Sequence, residues 1–242
     1  MTPLLTKPLT TVRRAAGRGL ALAIKQLTKR EWERQTFGRN ERPIEYRFVF
    51  EQVTHACPET VLDVGSGSTA LPSLLRSCGM HVTAMDNVTD YWPGGMYNRH
   101  YHVLDDDIRA PRLSGSFDMV TCVSVLEHIV EYDRAVRGLF SLTNPGGRVV
   151  ITCPYNEGGY VANAYDMPGA SYGQNAPYVC QQYDRTNLDR WLEDNGAEIE
   201  RQEYWRVFTG PHWTVGERLD VPQQVDSDEL HQLTCLTLRK RG

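Results

Sequence analysis

Between Ile44 and Arg239 the chain alternates short apolar runs with segments in which apolar residues recur every three or four positions. These are the periods of buried strands and amphipathic helices. The runs predict strands over residues 60–64, 81–85, 101–104, 117–123, 148–152, 198–208 and 232–239. The helical segments cover 45–56, 70–78, 132–142 and 184–196, the second capped by Ser68 or Thr69 and the last stopped by Gly196. Strands and helices alternating at this spacing predict an α/β fold, a doubly wound, mostly parallel seven-stranded sheet covered on both faces. In such a sheet ligands bind beyond the carboxyl ends of the strands. The turns at 63–69, 86–87, 105–108, 124–128 and 153–160 are therefore where chemistry is expected.

Ahead of this domain the pattern changes. Leu9, Val12, Ala16, Leu20, Ile24 and Leu27 recur at helical spacing in a basic stretch, which predicts an amphipathic N-terminal helical extension over residues 1–43, with the main domain over 44–242. The first 47 residues hold eleven Lys and Arg against four Glu, so they carry +7 and the rest of the chain, at −4 overall, carries −11. A solvated helix, a helix packed in a homo-oligomer and a helix at an anionic membrane surface all fit this pattern. The apolar run at 20–24 is cut by Lys25 and lacks a cleavage site, which argues against a signal peptide. No run reaches membrane-spanning length, and the expected location is cytoplasmic, with the membrane surface as the variant.

The net charge of −4 argues against general nucleic-acid binding. Six cysteines are scattered without a CxxC pair, as expected of reduced thiols. His100, His102, Asp105, Asp106 and His128 fall near strand ends, but no spacing among them is that of a metal site, so no metal is expected.

The chemistry centres on Val61-Leu62-Asp63-Val64-Gly65-Ser66-Gly67-Ser68-Thr69, an apolar strand running into two glycines. That turn lets backbone approach a ligand, and Asp86 follows about twenty residues on, where an acid can hold a ribose. A dinucleotide such as NAD fits the glycines, which leaves an oxidoreductase open. Asp63, a carboxylate just ahead of the turn, favours a cationic ligand instead.

These residues and those that follow resemble the class I S-adenosylmethionine-dependent methyltransferases over roughly residues 44–155. Val61–Gly67 resembles the family's first motif, in which the acid and the glycine turn, here Asp63, Gly65, Ser66 and Gly67, hold the amino-acid end of the cofactor. Asp86 and Asn87 match the ribose-binding turn, and Asp107-Ile108 the pair beside the adenine. The stretch 117–129, with Ser124, Glu127 and His128, matches the fourth-strand motif, and 142–151 the turn into strand five. The resemblance implies S-adenosyl-L-methionine as cofactor, S-adenosyl-L-homocysteine as product, and an antiparallel pair of strands at the sheet edge.

A hydroxyl acceptor needs a base, and His128, whose ordinary pKa is near neutrality, is the candidate; organising the pocket is its alternative role. Residues 154–183 are rich in Tyr, Gly, Asn and Pro, and read as a substrate loop or lid in which Tyr155, Asn156 and Tyr160 contact the acceptor. The arrangement is similar to methyltransferases of bacterial polysaccharide pathways. The expected function is O-methylation of a small molecule, a sugar or glycan precursor, with a quinone, a lipid head group or an amine as other acceptors. A cofactor-binding protein without turnover is the non-enzymatic alternative.

Overall fold

The computed structural model describes residues 6–33, 37–92, 94, 96 and 100–242. The chain divides into two units, Met1–Asn40 and Glu41–Gly242. In the first, a single helix, α1 (Thr6–Glu33), carries Val12, Leu20, Leu22, Ile24 and Leu27 exposed. Of the positions that predict this extension, the side chains of Lys7, Leu9 and Glu31 and the whole of Arg34, one of the eleven basic residues, lie outside the described residues.

The second unit is built on one sheet. β1 (Thr60–Val64), β2 (His81–Asp86), β3 (Val103–Asp105), β4 (Phe117–Val123) and β5 (Thr143–Pro154) pair in parallel. β6 (Ala197–Phe208), β7 (Arg218–Val225) and β8 (Leu233–Lys240) add antiparallel, giving the order β3-β2-β1-β4-β5-β8-β6-β7. The sheet thus has eight strands where the sequence pattern predicts seven. The extra strand, β7, reads Arg-Leu-Asp-Val-Pro-Gln-Gln-Val and is largely solvent-facing. An outer edge strand buries too little to show apolar periodicity and tolerates Pro222, so nothing in its pattern announces it.

Alternation along each strand sorts the core into two layers. Leu62, Val64, Val120, Val149 and Ile151 face α5 (Tyr132–Ser141) and α6 (Arg185–Asn195), where Leu139 and Trp191 are buried. Val61, Met119 and Val150 face α2 (Arg42–Ala56) and α3 (Leu71–Ser77), through Phe48, Val49, Leu71 and Leu75. Each such side chain contributes about 1.5–3 kcal/mol on leaving water. Two local expectations are corrected. α3 starts at Ala70 without a side-chain cap, its first turn being set by Pro72, so neither Ser68 nor Thr69 caps it. The Asn144–Gly147 turn is absorbed into β5 as an irregularity, the register jumping between Phe117↔Thr143 and Met119↔Arg148. α6 keeps its expected ends, a reciprocal Asp184/Asn187 capping box and Gly196 in the left-handed conformation.

β1 leads outward to β2 and β3, whereas β4 leads the other way, so the strand order reverses between β1 and β4. That reversal opens a crevice at the carboxyl ends of the two strands.

Candidate active site

A cavity of about 490 Å³ fills this crevice. Its lining comes from the ends of four strands: Gly65, Gly67 and Thr69 after β1, Asp86 and Asn87 at β2, Asp106 to Arg109 after β3, and Ser124, Val125, His128 and Ile129 after β4. Arg42, Tyr91, Trp92 and Tyr178 add to it, with Val64, Ser68 and Met85.

The turn after β1 is shaped by close approach. Gly65 has φ +71°, and a Cβ there would sit 2.4 Å from a Val125 methyl. Only glycine satisfies both the left-handed backbone and the missing space. Asp86 reaches across from β2 and accepts a hydrogen bond from the Gly67 N–H at 2.8 Å. Burial raises its pKa above the ordinary carboxylate value, and the N–H of Gly67 opposes this. Asn87 caps the short helix α4 (Val88–Tyr91), with Asp105 accepting from Val88 N, Thr89 N and Thr89 Oγ1.

Asp63 lies beneath the turn, outside the cavity lining. Its Oδ1 accepts from Thr121 Oγ1 at 2.6 Å, and it borders a separate void of about 10 Å³ with Arg42, Tyr46 and Thr69. Burial pushes its pKa up to about 6, against the pull of Thr121, Ser66 and the Arg42 charge. The Arg42 charge thus offsets part of the cost of burying this carboxylate. Ser66, too, lies under the turn, buried, its hydroxyl donating to the Asp63 carbonyl.

The three consecutive aspartates divide their work. Asp106 is committed to the fold: it accepts from the N–H groups of Asp107, Arg112 and Leu113, which overcome burial and hold its pKa down. Asp107 faces Arg109, whose guanidinium donates to it at 2.6 Å and lowers its pKa. Ile108 is buried beside it in the cavity wall.

Beyond β4 the backbone turns at Ser124, φ +50°, whose hydroxyl donates to the fully buried Glu45. Glu45 also takes hydrogen bonds from Thr152 Oγ1 (2.7 Å) and Arg42 (2.8 Å), which ties α2 to β4 and β5 beneath the cavity. His128 Nδ1 donates to the Val179 carbonyl at 2.7 Å, and Tyr178 packs edge-on to the imidazole at 4.7 Å. A carbonyl accepts only, so the neutral ring carries its proton on Nδ1 and its lone pair on Nε2. Burial lowers the His128 pKa below 6.5, which keeps it neutral at pH 7. Glu127 Oε1 lies 4.0 Å from Nε2, beyond hydrogen-bond reach. Glu127 itself is buried, and its pKa is driven up to about 8, by burial first and the neighbouring Glu45 charge in addition.

Residues 154–183 are pinned rather than loose. Asn156 N donates to Tyr183 O, Val161 N to Gln182 O, Ala164 N to Cys180 O and Ser171 N to Thr214 O. Gln181 bonds the Glu127 and Ile129 carbonyls, holding the segment against the turn after β4. The three residues expected to meet the acceptor point elsewhere. Tyr155 is in the core, stacked on His231; Asn156 donates to Pro211 O; Tyr160 donates to Gln181. None of the three lines the cavity, and Tyr178 is the residue of this segment that does. Arg42, Tyr91 and Trp92 also escape sequence reasoning: Arg42 reads as one of many surface cations, and the aromatics follow β2 without a pattern. No group of three or more His, Cys, Asp or Glu among the described residues is arranged to hold a metal ion.

A family model described as "Methyltransferase domain" matches residues 24–202. Among curated relatives, the ubiquinone biosynthesis O-methyltransferase of Coxiella burnetii is 25% identical over 208 residues, covering 81% of this chain and 83% of the relative. Its namesake from Pseudomonas paraeruginosa is 27% identical, covering 72% and 80%. That of Albidiferax ferrireducens is 31% identical over 113 residues, 42% of this chain and 45% of the relative. Among solved structures, the 1,6-didemethyltoxoflavin-N1-methyltransferase of Burkholderia thailandensis shares the fold at TM-score 0.53, with 18% identity over 100% of this chain and 93% of that one. A family match of this extent sets aside the oxidoreductase reading. The chain belongs to the methyltransferase-domain family and is a class I S-adenosylmethionine-dependent methyltransferase.

Proposed function

We propose that this protein methylates the hydroxyl of a small aromatic acceptor, of the phenol or quinol kind, with His128 Nε2 taking the hydroxyl proton. The observation that carries this is the fixed tautomer: the Val179 carbonyl holds the proton on Nδ1 of a neutral imidazole that lines the cavity.

The cavity suits the cofactor. A Cβ at Gly65 would fill the space against Val125, and Gly67 turns its N–H to Asp86, so the turn after β1 leaves room for a ligand lying on backbone. Gly65 and Gly67 would cradle it, Asp86 would meet a ribose, Asp107 and Ile108 would flank a base, and Arg42 would face a carboxylate. When bound, S-adenosylmethionine supplies an electrophilic sulfonium methyl group. Holding an acceptor oxygen in line with that methyl while excluding water is the main contribution of the surrounding walls. His128 Nε2 would take the hydroxyl proton as the methyl group passes from sulfur to the acceptor oxygen, the bonding pair staying on sulfur in S-adenosylhomocysteine.

The acidity of the acceptor separates the candidates. A phenol titrates near 10 and an aliphatic hydroxyl nearer water's ~15.7, so the phenol lies the closer of the two to an imidazole whose pKa burial lowers. A weak base is matched to the more acidic hydroxyl. The relatives named for ubiquinone biosynthesis support the same reading, being aligned over 83% and 80% of their length. The sugar acceptor loses its support, since Tyr155 and Tyr160 are engaged elsewhere.

The test is transfer of labelled methyl to a catechol, a nucleotide-linked hexose and a primary amine in parallel. The expected result is an O-methyl catechol, with the other two about 100-fold slower or absent. Equal or faster transfer to the hexose or the amine refutes the reading.

A further inference from the structure

We propose that α1 lies in the plane of an anionic membrane surface, its apolar stripe in the acyl boundary and its basic face toward the head groups. At about 100° per residue, Val12, Ala16, Leu20, Ala23, Ile24 and Leu27 fall within about 120° of one another around the helix axis. Arg14, Arg18, Lys25 and Lys29 fall within about 60° on the opposite side. Within its own unit the helix carries these residues exposed, Val12 and Leu20 at 67% and 63%, Ile24 and Leu27 at 47% and 44%.

Charge selects the occupant. Residues 1–30 hold seven Lys and Arg and no Asp or Glu, the first acid being Glu31. Lys29 pairs with Glu33 at 3.5 Å, at the far end of the helix. A second copy laid on the stripe would bring like charge against like charge, with Arg13 between Leu20 and Ile24 and Arg30 at the edge meeting their counterparts. An anionic lipid surface offers an apolar layer for the stripe and opposite charge around it, and the long stems of Arg13 and Arg30 can reach from the stripe to the head groups. No helix among the described residues is long and apolar enough to cross a membrane, so the helix lies along the surface.

The test is co-sedimentation of the full chain with vesicles of phosphatidylcholine and of an equimolar mixture with phosphatidylglycerol, at low salt and at about 0.5 M salt. The full chain is expected to bind the anionic vesicles at least tenfold better than the neutral ones, and to lose most of that preference in high salt. The variant Leu20→Gln/Ile24→Gln/Leu27→Gln should lose binding about tenfold, and Arg14→Gln/Arg18→Gln/Lys25→Gln should lose the preference for anionic lipid. Both should bind S-adenosylhomocysteine as the parent chain does, which shows that the main domain is folded. Three results overturn the proposal: a full chain that stays in the lipid-free fraction, vesicle binding that neither variant changes, or a dimer without vesicle binding that the apolar variant dissociates.

Discussion

On the wall formed after β1, β2 and β3, each carboxylate is met by a backbone N–H of an adjoining loop: Asp86 by Gly67, Asp105 by Val88, Asp106 by Leu113. The facing wall, after β4, is held from more than fifty residues away, by Val179 on His128, Gln181 on Ile129 and Tyr183 on Leu126. The first wall is preorganised by strand ends that the sheet already fixes. The second depends on a segment that must fold back correctly before His128 is oriented. The first wall also satisfies its buried acids, whereas Glu127 on the second keeps Oε2 without a hydrogen-bond partner among the described residues.

This contrast can be broken most severely at Gly65. Gly65→Val places a side chain into Val125 from a left-handed backbone, and should lower S-adenosylhomocysteine affinity by ~10³-fold, about 4 kcal/mol, by calorimetry. Affinity retained within tenfold would show that the turn does not shape the cofactor wall.

Glu127→Gln tests the strained wall. The Glu127 carboxyl titrates near 4.5 when unfolded and at about 8 in the fold, so folding takes up a proton between these values. Its stabilising share is complete below pH 4.5 and is lost as pH rises to about 8. The Gln variant should match the parent at pH 4.5 and exceed its stability by ~5 kcal/mol at pH 9, in denaturant unfolding. A pH-independent difference would mean that Glu127 is not a buried acid.

Tyr178→Ala is the mildest probe. Removing one aromatic contact beside His128 should raise the acceptor KM about tenfold while S-adenosylhomocysteine affinity changes by less than about twofold. A loss confined to cofactor affinity would move Tyr178 to the other wall.

The two walls were also unequally legible. Gly65 and Asp86 could be read because strand periodicity and local turn chemistry put them at the carboxyl end of a strand, whereas Asp107 and Ile108 were named through the family resemblance. β1 and β4 carry the predicted bounds for the same reason, being central, apolar strands. Asp63 was visible as an acid in the motif, but its burial beneath the turn, with Thr121 donating to it, depended on the pairing of β1 with β4, which no local pattern displays. The tyrosines of 154–183 share one composition, and only the fold-back onto Glu127 and Ile129 separates Tyr178, in the cavity, from Tyr155, in the core. β7 was hidden because an exposed edge strand has no apolar face to display.

The most direct test of the account is the split between turnover and cofactor affinity in His128→Gln, measured across pH on a phenolic acceptor. Gln cannot take a proton, so kcat should fall by ~10²–10⁴-fold while S-adenosylhomocysteine affinity stays within about threefold. The parent's kcat should rise with pH to a plateau, its midpoint below 6.5 because burial favours the neutral imidazole, and the variant should lack that limb. Equal losses in kcat and affinity, with the pH limb retained, would contradict a proton-accepting His128 and leave it a role in organising the pocket.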